Sequence, residues 1–102
     1  MAEQRAASLA DLPAGGCKVV EVGGTPVVLA RVGDQVYACG STCSHQGGPL
    51  GEGVLRGTRL TCPWHGWMYD VRSGQCLLPA RGGAIATYPV RIESGEVWVD
   101  MP

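Results

Sequence analysis

Two cysteine and histidine pairs limit this chain more than any other feature: Cys43-Ser44-His45 and, further on, Cys62-Pro63-Trp64-His65. They take up the only two histidines in the sequence. Both pairs lie in turns, with Gly40, Gly47, Gly48 and Pro49 around the first and Pro63 and Gly66 around the second. Glycine lets a backbone come close to a bound group with its amides free to bond sulfur, and proline fixes the bend. Two such loops facing one another would close over a single site. Two thiolates and two imidazoles can hold tetrahedral zinc, or a 2Fe-2S cluster in which histidine replaces cysteine on one iron. Five cysteines is an odd number for a disulfide framework. In a reducing compartment metal ligation explains such a count better.

A chain of 102 residues has room for one domain and one modest core, so residues 1–102 are expected to form a single unit. Sixteen glycines and seven prolines favour short strands and tight turns over long helices. Eight basic and nine acidic residues leave a net charge of -1 with no run of either sign, which predicts neither a nucleic-acid footprint nor a polybasic membrane patch. Val27-Val28-Leu29-Ala30 is far shorter than a membrane span of ~20 residues. The first residues lead into no apolar signal core and contain no twin-arginine pair. The expectation is a soluble, cytoplasmic protein.

Lys18–Val22, Pro26–Val32 and Gln35–Ala38 are rich in β-branched residues and are separated by Gly23-Gly24 and Gly33-Asp34, which predicts a three-stranded meander. Arg91–Glu93 and Glu96–Asp100 alternate across Ser94-Gly95, which predicts a hairpin with one face buried. Ala6–Leu12 fits either a helical turn or an edge strand. Between the two β regions, Gly40 to Gly83 is dense in turn residues, with short apolar pieces at Val54-Leu55, Arg59-Leu60-Thr61 and Trp67-Met68-Tyr69. It reads as an insertion with little core of its own, which a metal cluster would tie together. The fold class is all-β: a small antiparallel sandwich or barrel framework with an inserted cluster-binding subdomain at about residues 40–80.

Zinc knuckles and ribbons mostly use Cys-x2-4-Cys pairs followed by separated histidines. Here Cys-x-His is followed by Cys-x2-His, and the boxes Cys43-Ser44-His45-Gln46-Gly47-Gly48-Pro49-Leu50 and Cys62-Pro63-Trp64-His65-Gly66-Trp67-Met68-Tyr69-Asp70 resemble those of Rieske proteins over nearly the whole chain. Leu78-Pro79-Ala80 resembles the family's proline loop, which covers the cluster from a third side. The resemblance implies one Rieske 2Fe-2S cluster, with Cys43 and Cys62 on the buried iron and His45 and His65 on the outer iron through Nδ1. It also implies that Tyr69 bonds a ligand sulfur, a role to set beside plain core packing.

The respiratory branch of that family carries two further cysteines, joined as a disulfide, at the positions of Gly48 and Trp64, and a serine at Trp67. None is present here. What remains resembles the Rieske ferredoxins of bacterial ring-hydroxylating dioxygenase systems. The implied function is a low-potential one-electron carrier, not an enzyme, acting as a monomer between a flavin-dependent ferredoxin reductase and a terminal oxygenase through transient contacts. The alternatives are a small subunit of an assimilatory nitrite reductase and a structural zinc module. Cys17, Cys39 and Cys76 fall outside the signature and read as small buried hydrophobes. Leu50, Trp64, Trp67 and Met68 form a candidate apolar collar around the site. Arg81 and Glu52 are candidates for partner selection.

Overall fold

The computed structural model describes residues 2–41, 50–64, 66–78 and 83–101. Among them lie eleven β-strands, two short 3-10 turns and no α-helix. The strands form three antiparallel sheets. The terminal sheet has β11 (Glu96–Met101) between β1 (Ala2–Ser8) and β10 (Val90–Glu93). The central sheet runs β2 (Cys17–Val22), β3 (Thr25–Val32), β4 (Gln35–Gly40), β9 (Thr87–Tyr88). The third runs β5 (Val54–Arg56), β6 (Arg59–Thr61), β7 (Met68–Asp70), β8 (Cys76–Leu78).

The meander and the C-terminal hairpin expected from the sequence are β2-β3-β4 and β10-β11. Gly23 and Gly24 turn between β2 and β3 at φ +59° and +83°, a backbone that side chains with a Cβ rarely adopt. The ambiguous Ala6–Leu12 stretch is both structures in succession: β1 runs through Ser8, then Leu9–Asp11 makes a 3-10 turn.

β3 is buried on both sides, and Val27, Val28, Leu29 and Ala30 are each 0% exposed. Side chains alternate across a strand, so Val27 and Leu29 join Val36, Ala38, Val97, Val99 and Met101 in the core against the terminal sheet. Val28 and Ala30 join Cys39, Leu50, Leu60 and Tyr69 in the core against the third sheet. A strand covered on both faces reads as an unbroken apolar run, which is the reason Val27–Ala30 lacks alternation.

The middle of the chain departs from expectation. Its short apolar pieces predict little core, yet it builds a four-stranded sheet whose register partners Leu55, Leu60, Tyr69 and Cys76 form one buried row. Each of its strands spans only three residues, so just one inward position per strand shows in the sequence. The row becomes a core because β3 and β4 supply its other wall.

Cys39 and Cys76 are buried and Cys17 is half-buried, with its thiol donating to the Gly51 carbonyl at 3.8 Å. Burial pushes the Cys39 thiol up from 9.0 to about 12, with a smaller push from Cys17. From pH 9.0 to about 12 an unfolded chain therefore releases this proton while the folded chain keeps it. The stability linked to the buried thiol is full below that window and is lost as pH rises through it. Urea unfolding of Cys39→Ala above pH 9 should lose stability with pH less steeply than the native chain, by up to ~1.4 kcal/mol per pH unit. Equal slopes would contradict the buried, protonated thiol.

Candidate metal centre

Of the four expected ligands, Cys43, His45 and His65 lie outside the described residues, as do Pro79, Ala80 and Arg81. Cys62 is described. It follows directly on β6 and is 1% exposed, within the buried cluster that contains Leu50, Tyr69 and Cys76.

The structure fixes where each of the three candidate loops leaves and rejoins the framework. The Leu50 amide donates to the Ser41 carbonyl at 3.0 Å, closing the base of the first box around residues 42–49. Across the second box, the Cys62 amide donates to the Trp67 carbonyl at 2.7 Å. The third loop is closed by the Cys76 amide on the Gly83 carbonyl at 3.2 Å, and by the Ile85 amide on the Gly74 carbonyl at 2.8 Å. Leu50, Cys62, Cys76 and Ile85 all belong to the same buried cluster, so the three loop bases are anchored in one core.

Two glycines permit this convergence. A Cβ on Gly53, just past the first box, would collide with the Thr61 carbonyl oxygen. One on Gly74 would collide with the Ile85 carbonyl oxygen, and the φ of +78° there also disfavours any other residue. Both obstacles are backbone atoms, which a side-chain rotation cannot clear.

The Trp64 amide donates to the Cys62 sulfur at 3.4 Å. An amide aimed at a sulfur favours negative charge on it, the state in which cysteine ligates a metal. A buried sulfur with an amide donor, in a loop whose ends are clamped, fits one thiolate of an iron-sulfur site. The sequence held the signal for that bond in the Cys-Pro-Trp spacing, but only the folded turn shows the donor. Of the expected collar, Leu50 is buried and Trp67 and Met68 are half-buried, while Trp64 is 48% exposed. The collar is closed on the Leu50 side and open at Trp64. Tyr69 is wholly buried, and among the described residues no buried side-chain nitrogen or oxygen lacks a hydrogen-bond partner. Glu52 is exposed in the 3-10 turn that follows the first box. At the end of β7 Arg72 forks onto Asp70, and its hydrogen bonds hold the Asp70 carboxyl below its ordinary value.

Residues 2–89 match the Rieske [2Fe-2S] domain family. The ferredoxin component of the naphthalene 1,2-dioxygenase/salicylate 5-hydroxylase systems of Ralstonia sp is 35% identical over 96 residues, covering 94% of this chain and 92% of the relative. Among solved structures, the ferredoxin of carbazole 1,9a-dioxygenase from Nocardioides aromaticivorans IC177 superposes with a TM-score of 0.93 at 31% identity, covering all of both chains. A complex of reduced oxygenase and oxidized ferredoxin in carbazole 1,9a-dioxygenase contains a chain similar to this one, with a TM-score of 0.87 at 33% identity, covering 95% of this chain and 91% of that one.

On the ligand set that the resemblance implies, His45→Ala and His65→Ala should each abolish the normal visible absorption and the low-g-average EPR signal of the reduced protein, because the outer iron would then lose one of two protein ligands. An unchanged spectrum in either variant would remove that residue from the ligand set.

Proposed function

The chain belongs to the Rieske 2Fe-2S family, and on that premise we propose that it is a one-electron carrier that takes electrons from a flavin-dependent reductase and delivers them to a terminal ring-hydroxylating oxygenase. We assign the cluster to Cys43, His45, Cys62 and His65. The observation that carries this function is the likeness, along nearly the full length of both chains, to proteins named as ferredoxin components of such systems. It favours the carrier over the nitrite reductase subunit and over the zinc module. The solved complex of reduced oxygenase and oxidized ferredoxin that holds a chain similar to this one supports the transient contact with an oxygenase. The carrier is not itself the catalyst. We place the carrier in the cytoplasm, where the Cys17 and Cys39 thiols, which form no disulfide, would stay reduced.

When bound, a Rieske cluster accepts and releases a single electron. The residues of the chain do the rest. Cys62, with the Trp64 amide on its sulfur, holds negative charge at the inner side of the site. Leu50 and Tyr69 keep water from that side. Purified protein should be red-brown, be reduced by NADH through the reductase, and be reoxidised by the oxygenase. A colourless zinc protein, or a cluster that the reductase leaves oxidised, would refute the function.

The potential should fall near the low end of the Rieske range, roughly -150 mV, rather than near +300 mV. No hydroxyl is available at Trp67 to stabilise charge on a bridging sulfide, and Gly48 and Trp64 supply no cysteine pair to clamp the loops. Trp67→Ser should titrate above Trp67→Ala, which controls for water admitted when the half-buried indole is removed. A charge-assisted bond of ~1.5–3 kcal/mol sets an upper estimate of roughly 65–130 mV for that difference. A serine variant that holds its cluster yet titrates no higher than the alanine variant would refute the missing-donor explanation.

A further inference from the structure

The outward face of the third sheet carries two cross-strand rows that the ligand set does not use. Val54, Thr61, Met68 and Leu78 are register partners across β5, β6, β7 and β8. They lie opposite the buried Leu55, Leu60, Tyr69 row, and Val54 and Leu78 at the ends are each 56% exposed. Past the buried row, Arg56 and Arg59 stand directly opposite one another at the β5-β6 turn. Both are exposed, and among the described residues neither has a carboxylate partner. Asp70 is the register partner of Arg59, but its oxygens are taken by Arg72 at 3.1 and 2.9 Å. Like charges opposed on neighbouring strands repel. This hairpin thus keeps an uncompensated positive pair in a chain whose net charge is -1. A groove of about 400 Å³ lined by Arg56, Arg59, Thr61 and Met68 joins the two rows.

An apolar row bordered by unpaired cations suits a partner with an apolar centre and carboxylates at its rim. The face is also continuous with the metal centre, because Thr61 precedes Cys62 and Arg59 is three positions before it. At ~3.3 Å per residue that is roughly 10 Å along β6. A contact of about 800 Å² per partner spans such a distance easily.

The geometry points to the outer face of β5-β6-β7-β8 as the docking surface for a redox protein that presents carboxylates around a small apolar patch. Arg56 and Arg59 receive the carboxylates, and Val54, Met68 and Leu78 meet the patch. This rests on the carrier function proposed above and specifies how the carrier is grasped. In the sequence only the placement of Arg56 and Arg59 on either side of Gly57-Thr58 sets them apart from the other scattered arginines.

Cytochrome b5, whose exposed haem edge is ringed by carboxylates, is a suitable probe. The cluster-loaded chain is reduced with dithionite and mixed with the ferric cytochrome. One electron leaves the chain, ferric haem becomes ferrous, and no proton moves. Stopped-flow absorbance gives the second-order rate, and amide shifts of the 15N-labelled oxidised chain report binding separately. The native rate should fall as ionic strength rises from about 10 to about 150 mM, as screening shortens the range of attraction. Arg56→Glu with Arg59→Glu should lower the low-salt rate about tenfold or more and remove the salt dependence, with EPR signal and potential unchanged. Arg56→Gln with Arg59→Gln should fall between, which keeps the test open if charge reversal harms the hairpin. Lys18→Glu, on the edge of the central sheet, lowers the net charge by two units, as the paired glutamine variant does, and is the control for it. Shifts centred on residues 54–61 support the docking face. A glutamine pair no more damaging than Lys18→Glu, or shifts centred elsewhere, overturns it. A native chain without the EPR signal would instead refute the carrier function, so the two failures are distinct.

Discussion

Burial of β3 on both faces is the constraint on which the remaining structure depends. Val27 and Leu29 hold the terminal sheet, while Val28 and Ala30 hold the sheet that carries the metal centre. Neither flanking layer has enough apolar surface to stand alone, since small units bury too small a share of their area. Sharing one strand between two cores lets 102 residues support three sheets. Replacing any of these four side chains by a polar one would strand an unsatisfied group with no route to solvent.

The metal centre inherits its placement from that arrangement. Three loops are clamped at their bases by backbone hydrogen bonds, and all three bases enter the core built on Val28, Ala30 and Cys39. The framework thereby sets the separation of the loop ends before any ligand acts. On the ligand set proposed above, one cluster held by residues of two loops would add a link that the short strands cannot supply, which is how metal binding and folding become coupled in small proteins. The same short strands turn their other face outward, so the strand that leads into the buried Cys62 also carries the exposed Arg59 and the half-buried Thr61. Burial of Cys62 and exposure of Arg59 follow from a single alternation.

Local features of this fold were legible in the sequence because they are encoded locally. Gly23-Gly24 and Ser94-Gly95 marked two hairpins, and β-branched runs marked the strands they join. The two Cys-x-His and Cys-x2-His boxes marked the family. Long-range pairings were not legible: nothing in Ala2–Ser8 says that it pairs with Glu96–Met101 at the far end of the chain. The third sheet was seen only as scattered apolar pieces, because three-residue strands carry too little alternation to show a face. The Trp64 amide on the Cys62 sulfur, and the opposition of Arg56 to Arg59, depend on turn geometry and register that composition does not contain.

The central claim is a cluster with unlike ligands on its two irons, two cysteines on one and two histidines on the other. Mössbauer spectroscopy of the oxidised protein enriched in 57Fe tests it most directly, because each iron reports its own ligand shell. Two distinct quadrupole doublets of equal area, one from an all-sulfur iron and one from an iron with two nitrogen ligands, are the predicted result. A spectrum in which both irons share one all-sulfur environment would contradict it.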